Sequence, residues 1–366
     1  MDASSHDHPP MKRTLSGRNA GDILGSQARR GYFGGGAGAT HTESNADDDG
    51  GGDGSRIVLS EQYGQLAEAA AEAAAAMGSA PASSSSTEDF APPPEAMAGL
   101  AGRYAGKTVI VTGGSKGIGE GCTRVFFAAG SNVVVAARGV ADGTALVAEL
   151  NSNAMGCGAP NRCTFVRADV SKVEQIEALV AAAVEAYGRV DCLINNAGWH
   201  PPPATIDDFS VDEMQDLFQL NFVSIFAACK IALPHLRRVG GNIINMSSWV
   251  GANGQAQAPT YAATKGAITA FSKALAIDEA GAGFGVRVNI VSPGNIWTPL
   301  WKSWSDGEAD PSAAREAGDR VQVMGRKGTI IETGRLCLCI AADLTFTTGV
   351  DHIQSGGAEL GYGVKA

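Results

Sequence analysis

The sequence predicts an α/β protein, a doubly wound parallel sheet of seven strands with helices on both faces. Three observations predict it. After residue 100, short β-branched runs alternate with helical periods, the pattern of repeated strand–helix–strand units. The runs are apolar throughout rather than alternating, as befits strands covered on both faces. The first run closes in a glycine-rich turn that opens a helix. Hydrophobic residues make up 44% of the 366-residue chain and charged ones 18%, enough apolar surface for a sizeable core.

In chain order the strands are expected at 108–112, 133–137, 162–167, 192–195, 242–246, 286–291 and 350–354. The helices are expected at 117–129, 141–150, 173–187, 211–236, 261–280 and 332–342. Each run is four to six residues of mostly Val, Ile and other strand formers. No stretch of eighteen apolar residues occurs, so no membrane span and no membrane partner are expected.

Residues 1–100 read differently. They hold Gly34-Gly35-Gly36, Asp47-Asp48-Asp49, four serines from Ser83 and Pro92-Pro93-Pro94. Such composition buries too little apolar surface to offset chain entropy, so a disordered low-complexity tail is expected, with a single domain over 101–366. An Ala-rich helix at 66–77 is the one element expected in the tail. The basic stretch 11–33, with Lys12, Arg13, Arg18, Arg29 and Arg30 against Asp22, has the character of a transit segment. A cytoplasmic location is the first expectation, and a mitochondrial or plastid one follows if that segment is a signal. The tail carries 14 of the 38 acidic residues but only 6 of the 28 basic ones, so most of the net charge of −10 belongs to it. That balance argues against a nucleic-acid footprint. The seven cysteines are scattered with no C-x-x-C pair, which argues against a zinc site and a disulfide framework; no metal is expected. Most read as small buried apolar side chains.

The chemistry begins at Thr112-Gly113-Gly114-Ser115-Lys116-Gly117-Ile118-Gly119. The glycines follow G-x-x-x-G-x-G rather than the common G-x-G-x-x-G, but the physical need is the same. A sharp turn leaves the strand, the backbone comes close to a pyrophosphate, and a helix N-terminus faces its negative charge. The earlier run at 34–38 has neither a strand before it nor a helix after it. Downstream come Asn195-Asn196-Ala197-Gly198, then Ser248 thirteen residues before Tyr261, then Lys265 one helical turn beyond Tyr261, then Pro293-Gly294.

These motifs, in this order over residues 103–366, resemble the short-chain dehydrogenase/reductase family, a Rossmann fold. Within it, Trp199-His200-Pro201, the 292–301 segment and the 356–362 segment are similar to a branch that acts on hydroxysteroids and L-fucose. The resemblance implies an oxidoreductase interconverting a secondary alcohol and a carbonyl by hydride transfer. Tyr261 becomes general acid/base, Ser248 holds the substrate oxygen, and Lys265 supports Tyr261 and reaches the nicotinamide ribose. Asn221 holds a helix bend and a water. A lysine ammonium near the phenol is expected to lower its pKa toward neutrality. The resemblance also implies a homotetramer or homodimer.

For the cofactor, it implies contacts from Thr112, Gly113, Ser115, Lys116, Gly117, Ile118 and Gly119, and from Asp169 and Val170 on the adenine side. Asn195, Ala197 and Gly198 are expected beside the ribose, and Pro293, Gly294, Ile296 and Thr298 with Tyr261 and Lys265 at the nicotinamide. The second strand ends in Ala137-Arg138, where NAD users carry an acid for the ribose hydroxyls. Arg138 instead suits a 2′-phosphate, so NADP(H) is favoured and NAD(H) is the second choice. Substrate contacts are expected from His200, Ser248, Gln255, Tyr261, Trp297 and Trp301, with Trp304 on the same lid. Two rival readings are an acyl-carrier-protein reductase and a dinucleotide-binding regulator without turnover. The first wants a basic patch that His200-Pro201-Pro202-Pro203 does not supply. The second needs none of Asn221, Ser248, Tyr261 and Lys265.

Overall fold

Seven strands form one all-parallel sheet in the order β3-β2-β1-β4-β5-β6-β7 in a computed structural model that describes residues 93–155 and 163–363. The strands are β1 (Thr108–Thr112), β2 (Asn132–Ala137), β3 (Cys163–Arg167), β4 (Cys192–Asn195), β5 (Asn242–Met246), β6 (Arg287–Pro293) and β7 (Asp351–Gln354). The expected tail helix, the basic stretch 11–33 and Cys157 lie outside the described residues.

The helices between them are α1 (Gly117–Ala128), α2 (Val140–Met155), α3 (Val173–Tyr187), α4 (Val211–Phe218), α5 (Ser224–Arg237) and the short α6 (Val250–Asn253). They continue with α7 (Pro259–Gly281), α8 (Pro299–Asp306), α9 (Pro311–Arg320) and α10 (Ile330–Ala342). Pleating sends Val109 and Val111 of β1 to one face and Ile110 to the other. On the first face they meet Val125 and Phe126 of α1 and Leu338 of α10. On the second, Ile110 joins Ile176 of α3, Ile225 of α5 and Ile268 of α7. The core is therefore two layers divided by the sheet, which is why the strands read as unbroken apolar runs. Cys122, Cys163, Cys192, Cys229 and Cys337 are buried in these layers.

Two expectations need correction. The helix expected over 211–236 is two helices joined by a π-helical turn, Gln219–Val223, with Asn221 inside it. An 18-residue window within 211–237 reaches a mean hydropathy of 1.5 and passes for a membrane span by composition. Its α5 portion packs Ile225, Ala228, Cys229 and Leu233 into the core layer. Helices α8 and α9 were not expected at all. Each starts at proline behind a capping residue: Thr298 Oγ1 accepts from Trp301 N, and Asp310 accepts from Ser312 N and Ala313 N.

The strand order reverses between β1 and β4: β2 and β3 follow on one side of β1, and β4 to β7 run off on the other. The crevice at their carboxyl ends is where a doubly wound sheet takes its ligand. Everything described next lies along that edge.

Candidate active site

The crevice floor begins where β5 ends. Ser247 and Ser248 follow Met246 and point different ways. Ser247 Oγ donates to Lys265 O at 2.9 Å and lies 3.0 Å from Thr269 Oγ1, so this serine ties β5 to α7. Ser248 instead faces the cavity, where its Oγ donates to Pro293 O at 3.5 Å and lies close enough to the Tyr261 phenol to favour its ionised form. Tyr261 and Lys265 share one face of α7, with Lys265 Nζ 5.6 Å from the tyrosine ring centre. The ammonium is buried and donates to Met246 O at 2.9 Å.

This arrangement corrects the pKa expectation. Burial pushes Tyr261 up to about 12, and the Ser248 hydroxyl only works against that rise. Burial alone lowers Lys265 to about 8. With its proton donated to a β5 carbonyl, the ammonium favours the phenolate too little to outweigh the desolvation of the phenol.

Asn221 explains its own π turn. Its Oδ1 accepts from Trp199 N at 2.8 Å, and its Nδ2 donates to Trp199 O at 2.9 Å and Thr264 Oγ1 at 3.2 Å. Widening the helix by one residue brings this amide inward to lock the 198–200 loop against α7. A Cβ on Gly198 would stand 3.1 Å from Asn221 Oδ1 and 3.9 Å from Lys265 Nζ, so the three meet at one point.

The glycine turn forms a cradle. Gly113 has φ +64° and Gly117 φ +56°, conformations that favour glycine. A Cβ on Gly119 would come within 2.1 Å of Gly113 O, so no larger residue fits the turn. Helix α1 opens at Gly117 with its free N–H groups toward the crevice. The cradle thus suits a pyrophosphate by backbone shape and by helix polarity, and the residues present fit a dinucleotide.

The remaining expected cofactor residues divide. Ile118, Gly198, Pro293, Gly294, Ile296 and Thr298 line the same cavity as Tyr261 and Lys265. Thr112 Oγ1 accepts from Asn196 N and Ala197 N at 3.0 and 3.1 Å, so its hydroxyl joins β1 to the 195–198 turn. Asn195 is corrected: it is the last residue of β4, and its side chain turns into the sheet to donate to Asn245 Oδ1. Asn196, which sequence reasoning passed over, faces the cavity and donates to Thr112 O and Gly113 O. Val170 packs its side chain into the core. Ser115 is half-buried in the glycine turn. Arg138 and Asp169 stand at the ends of the paired strands β2 and β3. Burial of Asp169 is outweighed by hydrogen bonds from Ser171 and the charges of Arg138 and Lys172, which hold its carboxyl below the usual range.

On the substrate side, the cavity of about 230 Å³ is walled by His200, Trp249, Gln255, Trp301 and Trp304. Trp297 does not line it. Residues 296–298 are extended, Ile296 bridges Gly328, and Trp297 N donates to Gly328 O, so Ile296 and Thr298 face the cavity and Trp297 the other side. Its ring lies beside the cations of Arg315 and Lys327. Lys327 is buried, donates to Arg315 O and Asp319 Oδ1 at 2.6 and 2.9 Å, and sits 4.7 Å over Trp301. Ring contacts continue from there: Trp301 to Trp304 at 6.1 Å, Trp304 to His200 at 5.0 Å, His200 to Tyr261 at 4.0 Å. A ladder of rings therefore joins a buried cation in the wall to the phenol on the floor. Burial holds the His200 imidazole below its ordinary pKa, against hydrogen bonds to Pro201 O and Gln255, so it is neutral at pH 7.

Known proteins are similar to this chain in sequence and in fold. The pattern of the short chain dehydrogenases matches residues 107–309. An L-fucose dehydrogenase of Bos taurus is 46% identical over 264 residues, 72% of this chain and 93% of that protein. A 3beta-hydroxysteroid dehydrogenase 1 of Eggerthella lenta is 35% identical over 258 residues, covering 70% of this chain and 94% of that one. The crystal structure of L-sorbose reductase from Gluconobacter frateurii, complexed with NADPH and L-sorbose, superposes with a TM-score of 0.65 at 26% identity, covering 69% and 97% of the two chains. With the crevice at the switch point and the ordered motifs in place, the chain belongs to the short-chain dehydrogenase family. It is an oxidoreductase that interconverts an alcohol and a carbonyl at a CH–OH group with a nicotinamide dinucleotide.

Proposed function

We propose that this enzyme acts on a sugar, oxidising an aldose hydroxyl of the L-fucose type or running the reverse reduction, with NADP(H) in preference to NAD(H). The single observation that carries the sugar reading is the wall: a cavity of about 230 Å³ combining the faces of Trp249, Trp301 and Trp304 with the polar groups of His200 and Gln255. Flat rings suit the C–H face of a pyranose, and the polar groups suit its hydroxyls. Relatives named for L-fucose and L-sorbose support it.

In this reading the glycine turn and the α1 N-terminus hold the pyrophosphate. Arg138 faces the 2′-phosphate at the end of β2, where Ala137 supplies no repelling acid. Pro293, Gly294, Ile296 and Thr298 border the nicotinamide end. The bound dinucleotide supplies the hydride chemistry. Tyr261 exchanges a proton with the substrate oxygen, and Ser248 holds that oxygen in place. Lys265 keeps a positive charge near the phenol below pH ~8, and Asn221 fixes the loop that carries His200. Residues 101–366 form the unit that does this, and two or four copies associate.

Initial rates of the full chain with L-fucose and with a 17β-hydroxysteroid, each with NADP⁺ and NAD⁺, test the reading. The expected result is a kcat/KM for L-fucose with NADP⁺ at least about tenfold above the other three combinations, the scale of a few well-placed polar contacts. Preference for the steroid would refute the sugar assignment, and preference for NAD⁺ would refute the cofactor assignment.

A further inference from the structure

The adenosine end of the crevice holds an acid that the end of β2 lacks. Asp142, in the first turn of α2, places Oδ2 2.8 Å from Lys116 Nζ in the glycine turn. The same Oδ2 would lie 3.3 Å from a Cβ on Gly139, the residue after Arg138. The carboxylate is therefore folded back over the turn that leaves β2. The ion pair spans the gap between that turn and the glycine turn, the two segments that flank an adenosine ribose in this fold. Both partners are accessible, with side-chain exposures of 60% for Lys116 and 45% for Asp142. Arg138 makes no ion pair within 4 Å among the described residues, and its charge falls instead on Asp169.

We propose that Asp142 is a specificity-determining residue for the dinucleotide, acting by competition. Its carboxylate and a cofactor 2′-phosphate want the same ammonium, that of Lys116. The phosphate gains that ammonium only by breaking its pair with Asp142, so its net gain is smaller than from an unengaged lysine. Asp142 thereby weakens binding of NADPH and leaves NADH, which has hydroxyls at that place, almost untouched. An exposed pair of this kind is worth little alone. A charge-assisted phosphate contact is worth more, so the difference is measurable. The inference rests on the proposal that Arg138 faces the 2′-phosphate, and it places Lys116 beside Arg138 there.

The test is titration of the full chain with NADPH and NADH, followed by nicotinamide fluorescence. The proteins are the wild type, Asp142→Asn, Lys116→Ala and the double variant, with Asp142→Ala as a second removal of the charge. Asp142→Asn and Asp142→Ala are expected to lower the NADPH Kd about three- to tenfold and to leave the NADH Kd within about twofold. In the Lys116→Ala background the gain is expected to vanish. Weaker NADH binding with unchanged NADPH binding would overturn the proposal, because Asp142 would then hold the ribose hydroxyls. A gain that persists without Lys116, or no change for either dinucleotide, would overturn it as well. A wild type that binds NADH more tightly than NADPH refutes the NADP(H) preference by itself, while the response to Asp142→Asn still decides the role of Asp142.

Discussion

On the floor of the cavity, Ser247, Lys265 and Asn221 are buried and each is fixed by hydrogen bonds at 2.8–3.2 Å to backbone or neighbouring side chains. In the wall, Trp301, Trp304 and His200 touch one another through ring contacts at 5–6 Å, braced from behind by Lys327. The two regions meet where the His200 ring packs on Tyr261. The floor is specified by direction, since each donor has one acceptor and a slip of one residue would lose it. The wall is specified by shape, since ring faces tolerate small shifts. The difference suits the two tasks: a proton must move between fixed atoms, whereas a sugar must be held at a chosen distance.

Breaking the floor has the largest expected effect. Tyr261→Phe keeps the ring against His200 and removes only the hydroxyl; kcat should fall by about 10²–10⁴, with the NADPH Kd nearly unchanged. A Tyr261→Phe enzyme within about threefold of wild type would move the proton transfer to another group. The wall should respond less. Lys327→Met removes the cation over Trp301 and leaves Asp319 with the backbone N–H of residue 327 but without its ammonium. The sugar KM should rise about fivefold to tenfold while kcat stays within about threefold, the scale of a cation–π contact, and tryptophan emission should shift. A fall in kcat as large as that of Tyr261→Phe would erase the distinction between wall and floor.

The two adjacent serines sharpen the comparison further. Ser248→Ala should cost activity about 10- to 100-fold with little change in melting temperature. Ser247→Ala should do the reverse. Losing its bond to Lys265 O and its contact with Thr269 should cost about 1–2 kcal/mol of stability in denaturant unfolding, with kcat within about threefold.

This contrast also accounts for what could be read beforehand. The sheet was legible because its strands are covered on both sides, so 108–112, 192–195 and 242–246 stand out as apolar runs. The floor was legible because its chemistry depends on fixed spacing: Tyr261 and Lys265 must share a helix face, and the glycines must permit a close approach. Spacing does not reveal which way a strand-end side chain turns, so only the fold shows Asn195 turned into the sheet and Asn196 toward the cavity. The wall was the least legible part. Its tryptophans were visible, but only the extended backbone at 296–298 decides that Trp297 faces outward while Trp301 faces the cavity. Helices α8 and α9 had their signals in Thr298-Pro299 and Asp310-Pro311. Lys327 gave none, because a buried cation needs Asp319 and two indole rings that only the fold assembles. The phenol pKa depended in the same way on where Lys265 donates its proton.

The central claim is that the buried phenol of Tyr261 takes the substrate proton, and the pH dependence of a single turnover tests it most directly. Burial places that phenol at about 12, so in the oxidising direction, below that value, its ionised fraction grows about tenfold for each unit the pH rises. Lys265 keeps its charge below about 8 and loses it above, which withdraws support from the phenolate as pH rises further. His200 is already neutral by pH 7 and adds no step above it. For L-fucose and NADP⁺ on the full chain, followed by absorbance of the reduced nicotinamide, the rate should therefore climb about tenfold per unit up to pH ~8 and flatten beyond it. A rate that does not change between pH 6 and 8 would contradict the assignment of the proton to Tyr261.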